Sequence, residues 1–181
     1  MALLTLAEAK AQLDIETSTH DDELQAYVDA LTSVIEHYTG PVEERQVTET
    51  IEGRGGTMCL SQVPAIALLS ITPALTDGDP VDLAAVVLDS AVGVVRHRSG
   101  SFAGTVWVVT YTAGRGTVPA TVNLAARILL QHLWRTQNGA ARGVGTADDF
   151  SVTEPIPGFG YAVPNRVLQL LEPFKLPPGV A

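Results

Sequence analysis

The hydrophobic period switches twice along this chain, and that double switch limits the folds open to it more than any other feature. Leu24, Tyr27, Val28, Leu31, Ile35 and Tyr38 recur at helical spacing, one apolar stripe about four turns long. From Glu43 to about Thr112 the pattern shortens to strand-like alternation, and from Pro119 it lengthens again through Val122, Ala126, Leu129 and Leu133. Helix, then strands, then helix predicts an α+β fold: a small helical bundle, an inserted antiparallel β region and an extended C-terminal arm.

Local signals place the ends of these elements. Thr5 followed by Glu8 has the spacing of a capping box, and Leu6, Ala9 and Leu13 continue a first helix. Residues 14–19 break it. A second helix starts near Thr19, with Asp21, Asp22 and Glu23 in the first turn, where carboxylates face the positive end of the helix dipole, and Gly40 and Pro41 end it. Pro119 suits a first helical position because that amide has no helical partner, and Asn138 with Gly139 closes the third helix. Pro164 to Glu172 allows two turns of a fourth, after which Pro173, Pro177 and Pro178 keep the tail extended.

Six segments of the middle region read as strands: Gln46–Glu52, Thr57–Leu60, Ala65–Thr72, Ala85–Leu88, Val94–Arg98 and Thr105–Thr112. The Gly53–Gly56 turn predicts that the first two form a hairpin. The last is apolar on both faces, as a buried central strand requires. The expected organisation is therefore 1–42 as the N-terminal bundle helices, 43–116 as the β region, 117–139 as the third helix, 140–163 as a loop, and 164–181 as a short helix with the arm. Helices two and three are expected to pack through Tyr27, Leu31 and Ile35 against Val122, Leu129 and Leu133.

At 181 residues and 46% hydrophobic, the chain is long enough to bury a core without disulfides or a metal. Cys59 is the single cysteine, which excludes a disulfide framework and multi-cysteine metal sites; a small buried residue is the simplest reading of it. No apolar run approaches the roughly 18 residues of a membrane span, so no membrane partner is expected. The N-terminus lacks a basic stretch before its apolar residues, which predicts synthesis and residence in a reducing cytoplasm. Net charge is −9, and residues 1–52 hold twelve acids against two bases while the rest is close to neutral. Such a chain cannot grip nucleic acid by neutralising phosphates, although DNA can pass beside it.

Nothing in the sequence assembles a reaction centre. His20, His37, His97 and His132 lie in separate elements without metal-ligand spacing. Gly53-Arg54-Gly55-Gly56 and Gly114-Arg115-Gly116 lack the lysine and hydroxyl residue of a phosphate loop, and Ser99 and Ser101 do not form a nucleophile elbow. Asp77, Asp79 and Asp82 form an acidic cluster whose bland reading is a solvated turn. Its alternative is a metal-dependent hydrolase or nuclease.

The order of motifs along the chain resembles a known family. Leu6-Ala7-Glu8-Ala9-Lys10-Ala11-Gln12-Leu13 is followed by Asp21-Asp22-Glu23-Leu24 and a helix ending Tyr38-Thr39-Gly40. Leu88-Asp89 before Gly93, Val109-Thr110-Tyr111-Thr112-Ala113-Gly114, Pro119, His132-Leu133-Trp134-Arg135 and Gly160-Tyr161-Ala162-Val163-Pro164-Asn165-Arg166 continue it. Together they are similar to the head-tail connector, or adaptor, proteins of long-tailed bacteriophages. The resemblance implies a non-enzymatic virion protein without cofactors, made in the host cytoplasm and built into the neck. It implies a homo-oligomeric ring, usually a dodecamer, under the portal protein, extending the DNA channel and receiving a tail or stopper protein. It also implies a portal-docking C-terminal arm from Arg166 to Ala181, with Arg166, Leu170, Leu171, Phe174, Lys175 and Leu176 as candidate contacts. An acidic lumen lets double-stranded DNA slide, and Glu36, Glu43 and Glu44 are its candidate lining.

Overall fold

The computed structural model describes residues 2–75, 78–138 and 163–176. The chain divides into a helical unit, Ala2–His37 with Pro119–Phe174, and a β unit, Tyr38–Val118 with Lys175 and Leu176.

In the helical unit, α1 (Leu6–Leu13) opens on the predicted capping box: Glu8 N donates to Thr5 Oγ1 (3.2 Å) and Thr5 N donates to Glu8 Oε2 (2.9 Å). Leu4 and Ala9, on either side of this cap, are both buried at the positions of a hydrophobic staple. α2 (Asp21–Thr39) buries Leu24, Val28, Leu31 and Ile35, and Gly40 leaves the helix with φ +72°, which a side chain would strain. α3 (Ala120–Asn138) buries Val122, Ala125, Ala126, Leu129 and Leu130. Pro119 precedes α3 instead of opening it, because its carbonyl accepts from the amides of Val122 and Asn123. α4 (Asn165–Leu171) runs into a 3-10 turn, Glu172–Phe174, and packs on α3. Arg127 ties α3 to α1 by donating to Asn123 Oδ1 (2.8 Å) and Glu8 Oε1 (2.7 Å). α2 meets α3 edge to face through Tyr27 and Trp134, 5.9 Å between ring centres.

The β unit contains β1 (Arg45–Glu52), β2 (Thr57–Cys59), β3 (Ala65–Pro73), β4 (Val86–Asp89), β5 (Val94–His97) and β6 (Val106–Ala113). They form two antiparallel sheets, ordered β1-β6-β3 and β2-β5-β4. Met58, Ile71, Val95, Phe102, Val109 and Tyr111 from both sheets and the loop before β6 share one core. β6 is the central strand its two apolar faces predict.

The expected β1–β2 hairpin does not form: β1 pairs with β6 and β2 with β5, leaving one bridge between Arg54 and Thr57. The cause is the loop before β6. Phe102 N donates to Gly55 O (2.7 Å), Ser101 Oγ donates to the same carbonyl (3.1 Å), and the Phe102 backbone occupies the space a side chain on Gly53 would need. The turn at 53–56 therefore carries the chain from one sheet to the other.

Candidate functional site

The arm residues do not all face outward. In α4, Val167 and Leu171 recur at i, i+4 and are buried, Leu171 to 2% exposure. Arg166 and Lys175 are exposed, and Leu170, Phe174 and Leu176 are half-buried. Arg166 to Leu171 lies in the short helix expected there, the 3-10 turn Glu172–Phe174 carries it past Pro173, where an extended tail was expected, and Leu176 N donates to Tyr38 O (3.0 Å), which fastens the end of the described chain beside Gly40. The tail beyond Leu176 lies outside the described residues, as do Gly139 and the expected 140–163 loop apart from Val163.

Of the proposed channel carboxylates, Glu36 lies in the helical unit and is half-buried, whereas Glu43 and Glu44 belong to the β unit. Glu43 is half-buried where its carbonyl approaches Gly114, and Glu44 is exposed beside Gly116.

The groups considered for chemistry have structural employment. Asp82 Oδ1 accepts from Ala84 N (2.9 Å) and caps the short 3-10 turn Leu83–Ala85; Asp79 is exposed and Asp77 lies outside the described residues. Among the described residues no group of three His, Cys, Asp or Glu side chains is arranged to hold a metal ion. His97 Nδ1 accepts from the amides of Gly100 (2.8 Å) and Ser99 (3.3 Å) while its ring stands edge-on to Phe102. His20 meets Glu23 at 3.2 Å and the Trp134 ring at 5.5 Å. Cys59 is exposed, contrary to its expected burial, because Met58 takes the inward position on β2.

The polar chemistry inside the β unit is a fastening. Tyr111 Oη donates to Glu49 Oε1 (2.9 Å) and accepts from Gln62 N (3.0 Å), and Ser61 N donates to the same carboxylate oxygen (2.9 Å). Burial raises the Tyr111 phenol most, the Gln62 amide opposes it, and Glu49 adds to the rise, which ends at about 12. Arg115 Nη2 donates to Thr39 O (3.0 Å), and burial lowers its pKa.

Sequence reading missed an apolar edge. Between Ala65 and Ala67, and again between Leu68 and Ser70, the β3–β6 register slips by one residue. The extra residues are Ile66 and Leu69, 42% and 48% exposed, so two bulges turn the large side chains of an edge strand toward solvent.

This combination of capped helices, a two-sheet insertion and exposed apolar edges suits a protein that assembles. The head completion protein family matches residues 2–175, almost the whole chain. The chain belongs to the head completion protein family. As a head completion protein it has a structural role at the head-tail region of a phage-like virion. Among curated protein sequences none matches it.

Its fold is shared with chains of solved assemblies. One, from the neck of an empty gene transfer agent particle computed with C6 symmetry, aligns with a TM-score of 0.67 at 19% identity over 98% of this chain and 92% of that one. A chain from the neck of the native particle, computed with C12 symmetry, gives 0.64 at 19% identity over 98% and 91%. A chain from the virion of the native particle gives 0.63 at 19% identity over 98% and 92%. The head completion protein is therefore similar in fold, end to end, to proteins found in necks.

Proposed function

We propose that this head completion protein forms a closed ring of twelve copies beneath the portal, extends the DNA channel toward the tail, and offers a surface to a tail or stopper protein. The observation that carries the reading is near full-length family membership combined with a fold shared over 98% of the chain with a protein from a neck computed with C12 symmetry. Rings of identical subunits need heterologous contacts that close by rotation. The protein is made in the host cytoplasm and ends in the virion neck.

In this reading the C-terminal segment meets the portal. Arg166, Leu170, Phe174, Lys175 and Leu176 supply contact, and Leu171 holds α4 in place from within the core. Glu36, Glu43 and Glu44 line the channel, where carboxylates repel phosphates and keep the genome from sticking. The hydrolase or nuclease alternative draws no support from Asp82, whose carboxylate is used as a cap.

Electron microscopy of the protein mixed with its portal tests the proposal. Twelvefold density added to the tail-facing end of the portal is expected; portal rings without added density would overturn it.

A further inference from the structure

The outer face of the β2-β5-β4 sheet carries three arginines in one small area. Arg54 bridges Thr57, Thr57 pairs with Arg96, and Arg96 pairs with Val87, so these four form one row across the strands. Residues directly opposite in antiparallel strands project to the same face. Arg98 follows Arg96 by two residues, and its amide continues the ladder to Ala85 O (2.9 Å). Arg54, Arg96, Arg98 and Val87 are all exposed, while Met58 and Val95 are buried on the opposite face. Arg98 Nε donates to Ala84 O (3.2 Å), but among the described residues none of the three guanidiniums has a carboxylate partner. Asp89, in the neighbouring row, is exposed and accepts from Ala91 N (3.3 Å).

The rest of the molecule supplies the complement. The helical unit holds twelve acids against five bases, and α2 holds five carboxylates with no lysine or arginine. Asp22 and Asp29 are exposed on α2; Gln25, between them, donates to Asp29 Oδ1 (2.8 Å), and the small Ala26, Ala30 and Ser33 flank the pair. Seven residues of helix separate these two carboxylates by about 10.5 Å along the axis. Arg54 and Arg96 stand two strand spacings apart, about 10 Å. A helix lying across the strands therefore brings Asp22 and Asp29 onto Arg54 and Arg96 together, with Val87 at the end of the row.

We propose that this arginine face binds the outer face of α2 from a second copy of the chain, and that the contact joins successive subunits of the ring. It rests on the ring reading and names the interface that reading leaves open. The contact is heterologous, the kind a ring of identical subunits requires, and it offsets the repulsion between subunits of net charge −9. Three cations on so acidic a chain neutralise too few phosphates to hold duplex DNA, which favours the protein partner.

Charge reversal and directed cross-linking test it together. R54E/R96E/R98E and D22K/D29K are each expected to abolish portal-templated ring mass in light scattering, and the fivefold variant to recover it, with thermal melting of the isolated proteins confirming that all three fold. With Cys59 changed to serine, a mixture of R96C and D29C chains should give a disulfide-linked heterodimer at high concentration without portal, and neither chain alone should do so. Rings formed equally by wild type and both reversed variants would overturn the interface and leave the ring reading standing. If wild type forms no ring but the heterodimer appears, the contact stands and the ring fails. Absence of both overturns both. Reversal that spares the ring but weakens retention on duplex DNA would reassign the arginines to nucleic acid.

Discussion

Tyr111 and Glu49 join β6 to β1 diagonally: Glu49 stands opposite Val109, two residues from Tyr111, and the phenol donates to its carboxylate at 2.9 Å. Tyr111 is fully buried and also receives the Gln62 amide, so one hydroxyl serves a carboxylate and a loop. Y111F leaves the Gln62 amide without its acceptor and is expected to lower stability by about 1–3 kcal/mol in denaturant melts. The pH dependence follows from the raised phenol. Its folded value of about 12 lies above the ordinary 10, so its contribution is complete below pH 10 and lost as pH rises through 12. Y111F should lack that alkaline loss.

Glu8 gives the opposite slope. Hydrogen bonds from the Thr5 amide and hydroxyl, then Arg127, hold its carboxyl below the usual range. Its contribution is present above the ordinary value of 4.5 and disappears as pH falls through the depressed one. T5A removes the hydroxyl bonds and keeps the amide one, so it should destabilise the helical unit by about 1 kcal/mol and reduce, without abolishing, its loss of stability in acid, read by circular dichroism across pH 2–6.

Leu31 and Leu129 anchor the buried stripes of α2 and α3. L31A or L129A should each cost about 2–5 kcal/mol, while L124A, at an exposed α3 position, should stay within about 0.5 kcal/mol. Equal melting of all three would refute the packing.

Gly40 combines φ +72° with the Val63 carbonyl pressed against the position of any Cβ and with Leu176 beside it. G40A should destabilise by more than about 2 kcal/mol and loosen the C-terminal segment, seen as faster amide exchange at Leu176.

Much of this was legible because hydrophobic period reports local structure directly. The stripe Leu24, Val28, Leu31, Ile35 became a buried helix face, and all six strand candidates became strands. Pairing was less legible. Gly53–Gly56 has the composition of a hairpin turn, but Phe102 and Ser101, nearly fifty residues away, redirect it. The outward turn of Ile66 and Leu69 comes from bulges, which alternation along one strand cannot announce. Leu171 looked like arm surface because four apolar residues crowd that segment, and only the α4 face separates it from Leu170. Trp134 was visible as a motif residue, yet its contact with Tyr27 depends on how α2 and α3 meet.

Reversing Glu36, Glu43 and Glu44 to lysine should slow genome ejection from assembled particles, since cations in the channel would hold phosphates. The ejection rate at two salt concentrations checks this, with the defect shrinking at higher salt. Unchanged ejection would remove these residues from the channel wall.

Assembly on the portal is read most directly as the mass added to it on mixing with the full-length chain, measured by size exclusion with light scattering. The same measurement is made on R166E/K175E, which alters only exposed positions, and on a chain stopped after Glu172. The full-length protein is expected to add a stoichiometric ring, and both altered chains to add none. A portal that elutes at its own mass with full-length protein present would contradict it.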